Sequence, residues 1–259
     1  MPARAIISPV HVVELWRHPV KSLQGESLDE ATIEDSGLAG DRRWGIVDRE
    51  TGKVLTGRRA PALLLASSRL DGTGVAVRLP DGDPVGGPSA HADAVLSEWI
   101  GRPVTLVEAE SFGAGIAESF ADATDDSSEV RAWAMPDGRF VDALPLLVVT
   151  TASLRQGRAL HPEGAWETRR FRPNIVIDVD EVGWVEDGWC GQTLRVGDVT
   201  VQPLAPCSRC TMVTRPQPGL DRDLDVFKTL ARHHGSTFGV WSVVQTAGVV
   251  HVGDVVTLG

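Results

Sequence analysis

Thr193-Leu194-Arg195-Val196-Gly197-Asp198-Val199-Thr200-Val201-Gln202-Pro203-Leu204 reads as two strands about a tight turn, with β-branched and apolar residues on either side of a Gly-Asp pair. It runs into Pro206-Cys207-Ser208-Arg209-Cys210, which holds two of the chain's 3 cysteines. Working outward, similar runs occur at residues 239–245 and 255–258 on the C-terminal side. On the N-terminal side they occur at 10–15, 44–47, 75–79, 104–108, 146–150 and 174–178, many bounded by Gly, Asp or Pro. Residues 48–52 read as a hairpin loop. Helical periodicity is confined to 92–100, 152–160 and 224–233. The expectation is a mainly β protein with a few short helices, of the barrel or sandwich kind.

The chain has 259 residues, 23% charged and 42% hydrophobic, the make-up of a globular protein with one large or two small domains. Its formal net charge of -10 repels a phosphate backbone, and no Lys/Arg block overrides it, so no nucleic-acid partner is expected. Residues 1–9 lack the apolar core of a signal peptide, and no run nears the ~18 apolar residues of a membrane span. Three cysteines, an odd number, do not build a secreted disulfide framework. A soluble, cytoplasmic protein that engages no membrane is expected. The clearest boundary lies between Ala109 and Pro145, where residues 121–129 are acidic and small, as in a solvated inter-domain loop. No Walker or dinucleotide glycine motif and no internal repeat is present.

Two cysteines three apart have four readings: a redox disulfide, half of a zinc site, one metal ligand beside a spectator, or two buried small hydrophobes. Zinc needs two further ligands, and the nearest downstream candidates, His233 and His234, are adjacent, so on a helix they diverge by about 100°. A thioredoxin-like pair opens a helix, whereas Thr211-Met212-Val213-Thr214 continues β-branched and apolar. Cation and hydroxyl clusters stand at the ends of apolar runs: Lys21-Ser22, Asp41-Arg42-Arg43, Thr56-Gly57-Arg58-Arg59 and Arg170-Phe171-Arg172-Pro173-Asn174. Singly these are solvated surface charges. Jointly they supply the planar forks, point charge and short donors that a phosphate-bearing anion needs. Cys190 reads as a packed thiol, and Trp99, Trp133, Trp166, Trp184 and Trp189 as core or loop packing. His233 and His234 read as caps on the carbonyl end of a helix.

Taken in order, Arg170-Phe171-Arg172-Pro173-Asn174-Ile175-Val176-Ile177, Gly197-Asp198, Pro206 to Cys210, Lys228-Thr229-Leu230, Phe238-Gly239 and Val252-Gly253-Asp254-Val255-Val256 resemble a MOSC domain. Upstream, His18-Pro19-Val20-Lys21-Ser22 and Gly40-Asp41-Arg42-Arg43-Trp44 resemble the β-barrel domain that precedes it in the amidoxime-reducing branch of that family. The resemblance covers nearly the whole chain. It implies an N-terminal β-barrel domain over residues 1–118 and a MOSC-type β-barrel over 119–259, sharing one cofactor cleft.

The resemblance further implies a molybdenum cofactor, a pterin carrying a dithiolene and a phosphate, whose metal takes one protein thiolate. Alignment to the family's Cys-x-Arg-Cys segment gives that role to Cys210 and leaves Cys207 as a packed neighbour. Lys21, Ser22, Arg42, Arg172, Asn174, Ser208 and Arg209 fall around the pterin and its phosphate, with Arg58, Asp142 and Trp241 near them. Trp241 stands where related proteins often have tyrosine, in a chain with no tyrosine. The implied reaction is two-electron reduction of N-hydroxylated small molecules such as amidoximes, hydroxylamines and N-hydroxylated bases. Asp142 would serve as proton source if burial raised its pKa, or would hold the pterin by hydrogen bonds. With no cysteine after Cys210, electrons are expected from a separate ferredoxin, flavoprotein or cytochrome-type protein. Pyridoxal phosphate binding is a further label the family carries. Two other roles stand beside the reductase: a carrier of cofactor or sulfur that reduces nothing, and a metal-free β-rich binding module.

Overall fold

All five residues of strand Leu146–Thr150 are buried, and their alternation organises the C-terminal half into two layers. In the computed structural model, which describes residues 10–122, 125 and 127–259, Leu146 and Val148 join Val12, Leu15, Ile175, Val201 and Val240 in one fully buried cluster. Leu147 and Val149 belong to the opposite cluster, with Trp166, Phe171, Val226, Leu230 and Phe238. There the rings of Phe171 and Phe238 stack with centroids 3.7 Å apart.

The strand lies within an 8-stranded sheet ordered Val256–Leu258, Leu194–Val196, Val199–Ser208, Thr237–Thr246, Leu146–Thr150, Ile175–Asp178, His11–Arg17, Glu26–Leu28. Among the described strands of this sheet only Leu146–Thr150 and Ile175–Asp178 pair in parallel, and parallel neighbours require a crossover. Helix Thr151–Leu160 begins it, opened by Thr150, whose Oγ1 accepts the Ser153 N–H at 3.1 Å. Strand Thr237–Thr246 passes so close to Leu146–Thr150 that a Cβ on Gly239, at φ +73, would sit 2.8 Å from the Val148 carbonyl oxygen. Only glycine fits there.

The first described strand, His11–Arg17, is held by Ile175–Asp178, and Glu30–Glu34 by Gly248–His251. The opening segment therefore completes the sheet of the C-terminal half. The sheet curls until Val12 N–H reaches the Asp254 carbonyl (2.9 Å) and Val256 N–H the Val10 carbonyl (2.8 Å). Among the described residues the strands do not close into a continuous barrel. A second core gathers Trp44, Ile46, Leu63, Val77, Leu96 and Leu106 between the pair Trp44–Asp48 and Val104–Glu108, a 3-stranded sheet, and helix Ala90–Ile100. The mainly β expectation holds, and helices Thr151–Leu160 and Leu224–His233 stand where the periodicity predicts them. The loop after Asp48 also forms as expected, its Oδ1 accepting the N–H groups of Glu50 (2.9 Å) and Thr51 (3.0 Å).

Two expectations are corrected. The acidic stretch expected to link two domains is instead flanked by strands Ile116–Phe120 and Val130–Ala134, which pair antiparallel with each other; its residues Ala123, Thr124 and Asp126 lie outside the described residues. Strand Ile116–Phe120 spans residue 118. His234 does not cap helix Leu224–His233 with its ring. The ring nitrogens instead meet Asp187 Oδ2 (2.6 Å) and the Thr237 carbonyl (2.9 Å), with the Trp184 ring stacked 4.3 Å away.

Glu186 is fully buried among apolar side chains, where one carboxyl oxygen accepts the hydroxyls of Thr150 (2.6 Å) and Ser153 (2.7 Å). Burial pushes its pKa up, and the two hydroxyls offset only part of this. The folded state then binds the proton more tightly than the unfolded state. Stability from this group is complete below the ordinary glutamate range and is lost as pH rises through the raised value. Glu186→Gln keeps the accepting oxygen without the charge. Its Tm is expected to match the parent at low pH and exceed it by a few degrees at pH 8, checked by thermal melts at both pH values.

Candidate cofactor-binding site

The ends of four strands and the middle of a fifth meet around one cavity of about 400 Å³. Lys21 and Ser22 follow His11–Arg17; Arg42 precedes Trp44–Asp48; Arg172 and Asn174 lead into Ile175–Asp178; Ser208, Arg209 and Cys210 end Val199–Ser208; and Trp241 lies within Thr237–Thr246. Arg58 and Asp142 come from loops. The structure thus brings to one cavity all the residues that the resemblance implies: Lys21, Ser22, Arg42, Arg58, Asp142, Arg172, Asn174, Ser208, Arg209, Cys210 and Trp241.

The local backbone is unusual there. Four described non-glycine residues have positive φ, and three of them, Ser22 (70°), Arg42 (48°) and Arg172 (56°), line the cavity. The fourth, Ser236 (62°), accepts the Arg209 N–H at 2.7 Å. Each such residue costs on the order of 1–3 kcal/mol, and they cluster at functional sites because surrounding contacts over-determine them. Those contacts are visible. Ser22 Oγ accepts the Gly57 N–H at 2.9 Å. Arg42 donates to Asp41 and, at 3.0 Å, to the Arg172 carbonyl. Arg172 closes the short helix Thr168–Phe171 in a left-handed conformation and sends Nη1 to the Leu23 carbonyl. Asn174, fully buried, joins strand Leu146–Thr150 to the first strand through the Leu147 N–H (3.1 Å) and the Trp16 carbonyl (3.3 Å).

Cations outnumber their partners on one side of the cavity. Arg172 is buried, and desolvation together with the neighbouring Arg42 lowers its pKa to about 9. Arg209 spends Nη1 on Cys207 Sγ (3.0 Å) and Nη2 on the Phe171 carbonyl (2.8 Å), while its Nε is buried with no hydrogen-bond partner. His18, just behind, is held neutral by burial and by Arg172 and Arg42. Crowded guanidinium groups with an orphaned donor are the signature of a site for an anion.

On the other side, Lys21 Nζ meets Asp142 Oδ1 (2.7 Å) and the Phe140 carbonyl (2.9 Å). Arg58 places Nη2 on Asp142 Oδ2 (3.0 Å) and Nε on Cys210 Sγ (3.1 Å). Desolvation in the cavity pushes the Asp142 carboxyl up, but Lys21 and Arg58 outweigh it and hold its pKa well below the usual carboxylate range. The raised pKa that a proton-donating Asp142 requires is absent: the group is a carboxylate that ties two cations together. Burial lowers Lys21 against the pull of Asp142. Both cysteines line the cavity, but Cys207 is buried and its thiol is pushed up by desolvation, with Arg209 acting in the other direction, whereas Cys210 is only half-buried.

The cavity also takes in residues that sequence reasoning assigned elsewhere. Phe120, Ala121 and Asp122 at the end of the hairpin form part of its wall, and so does Trp133, expected only to pack. The Arg58 guanidinium lies over the Trp133 ring, 4.9 Å from its centroid. No local signal links Trp133 to the Thr56-Gly57-Arg58-Arg59 cluster, which is remote in sequence; the two meet as a cation and a half-buried ring only through the fold.

A cation-lined cavity with two thiols in its wall, Cys207 and Cys210, built on strands from both halves of the chain, is the meeting place of two modules: residues 10–133 match the MOSC N-terminal beta barrel domain and residues 136–257 the MOSC domain, and the chain belongs to the proteins built from this pair. It is 27% identical to human mitochondrial amidoxime-reducing component 1 over 95% of this chain and 82% of that one, and 27% identical to human mitochondrial amidoxime reducing component 2 over 94% and 82%. It is 25% identical to the rice protein named molybdenum cofactor sulfurase over 82% of this chain and 29% of that one. The pyridoxal phosphate and cytoplasmic expectations gain no support from these relatives. No described helix is long and apolar enough to cross a membrane.

Proposed function

We propose that this protein is a molybdenum-cofactor-dependent reductase of N-hydroxylated small molecules. The observation that carries the reading is the meeting, in one cavity, of crowded cations at Arg42, Arg172 and Arg209 with the thiol of Cys210. That set suits a ligand with a phosphate at one end and a sulfur-seeking metal at the other. The cavity volume of about 400 Å³ lies within the range of cofactor sites.

In this reading Arg42, Arg172 and Arg209 hold the phosphate, and Lys21, Ser22 and Ser208 supply shorter donors to the pterin. Asn174 fixes the strand ends on which these groups stand. Cys210 is the protein's ligand to the metal. When bound, the cofactor supplies the two-electron chemistry that removes oxygen from an N–OH group. Asp142, kept ionised between Lys21 and Arg58, orients both cations and leaves proton delivery to another group or to water. Trp241 presents an indole N–H where a phenol cannot act. Electrons arrive from a separate donor protein of ferredoxin, flavoprotein or cytochrome type. The rival carrier role is favoured by no feature of the cavity.

Expression in two hosts tests the proposal, one that makes molybdenum cofactor and one that cannot. About one molybdenum and one oxidisable pterin per chain are expected from the first host alone, measured by mass spectrometry and by fluorescence after oxidation. Loaded protein should then reduce benzamidoxime with an artificial electron donor. Metal without turnover would favour the carrier, and no metal from either host would sink the cofactor reading.

A further inference from the structure

Arg58 is held on three sides. Its Nη2 meets Asp142 Oδ2 (3.0 Å), its flat face lies over Trp133 (4.9 Å), and its Nε points to Cys210 Sγ (3.1 Å). A long side chain has many rotamers to lose, and each contact alone would fix little. A carboxylate at one edge and a ring under the plane together leave the guanidinium one orientation, with the Nε–H aimed at sulfur.

The ring is itself braced. Trp133 lies on strand Val130–Ala134, paired with Ile116–Phe120. That hairpin is strapped to the loop bearing Arg58: Thr56 Oγ1 donates to the Glu118 carbonyl at 3.0 Å, Lys53 pairs with Glu118, and Arg59 lies over the Phe120 ring at 4.6 Å. Every part of this brace comes from the N-terminal matched region, whereas Cys210 belongs to the C-terminal one.

We infer that Trp133 is a positioning residue for Cys210, acting through Arg58: the N-terminal hairpin sets a guanidinium on the sulfur of the C-terminal module. The inference rests on the reading in which Cys210 is the ligand sulfur, and it is tested without the cofactor. Its consequence is a fixed positive charge beside Cys210, which a passing anion must feel and a neutral molecule must not.

The test uses the full chain from the cofactor-deficient host. Cys210 is alkylated with iodoacetate or iodoacetamide, and modification at that residue is followed by peptide mass spectrometry. The ratio of the two rates reports the charge beside the sulfur. Both reagents attack the same atom, so its intrinsic reactivity cancels, and loosening of the structure raises both rates together. Arg58→Gln is expected to lower the ratio about fivefold, the Boltzmann weight of a unit-charge pair about 4 Å apart in water. Trp133→Leu should lower it about threefold or more, and Trp133→Phe, which keeps a ring, should retain most of it. In the parent the ratio should collapse near 1 M salt, where the screening length is about 3 Å. If Trp133→Leu raises both rates through unfolding, Trp133→Thr, suited to an edge strand, replaces it. A parental ratio in a ring-free, folded Trp133 variant would overturn the inference, as would a parental ratio in Arg58→Gln. Metal loading plays no part in either outcome, so the cofactor reading stands or falls separately.

Discussion

Cys210→Ser is expected to abolish turnover while leaving the fold intact, and Cys207→Ala to retain most of both. The structural argument rests on where each sulfur sits. Cys207 is packed among Phe171, Phe238 and Val213, and its thiol is pushed up by burial, so the thiolate that a metal requires is disfavoured there. Cys210 lines the same cavity but is only half-buried, and it faces Arg58. Serine at 210 can still accept the Arg58 N–H, so circular dichroism and Tm should stay near the parent values. Turnover should fall by more than about a hundredfold, beyond the 10–100-fold typical for loss of a group that only supports a metal ligand. At Cys207, alanine removes one buried sulfur and one partner of Arg209, a stability cost on the order of 1 kcal/mol. Turnover with an artificial donor and molybdenum content per chain decide the matter. Equal losses from the two substitutions would show that the ligand assignment is mistaken.

How much of this was legible in the sequence depends on whether a feature is local. Leu146–Thr150 and Val104–Glu108 are strands within the residues that the pattern indicates, because a β-branched run between turn formers has little else to become. The partner of a strand is not local. Nothing in His11–Arg17 says that it will lie against Ile175–Asp178, and that pairing makes the opening segment part of the C-terminal sheet. The hairpin was missed for a related reason. Ile116-Ala117-Glu118-Ser119-Phe120 has weak strand propensity, and it is fixed by tertiary contacts: a bridge from Val54 to Ala117 and the ion pair of Lys53 with Glu118. With the hairpin went Trp133, whose cavity position depends on that pairing. The candidate site was legible only as scattered cation clusters at the ends of apolar runs. Their common cavity follows from the topology, and their roles from the family resemblance.

Arg172→Met should separate the site from the scaffold, because its effects on the empty and the loaded protein are opposed. In the cofactor-free chain the Arg172 guanidinium is buried near Arg42, and both desolvation and that like charge disfavour its ionised form. A group whose folded pKa is lowered in this way subtracts from stability at neutral pH, where it must remain charged. Methionine removes that penalty at the expense of the Leu23 carbonyl's partner, a term of about 1 kcal/mol, so the Tm of the empty chain should stay level or rise. In the loaded protein the same cation would meet a phosphate. Its loss should weaken cofactor retention by about 1.5–3 kcal/mol, the usual worth of a charge-assisted hydrogen bond, which is roughly a ten- to hundredfold faster loss of pterin during dialysis. Arg172→Lys, which keeps the charge but not the fork, should fall between the two. A lower Tm of the empty Arg172→Met chain with unchanged pterin retention would make Arg172 a scaffold residue and move the phosphate away from the Arg42 side of the cavity.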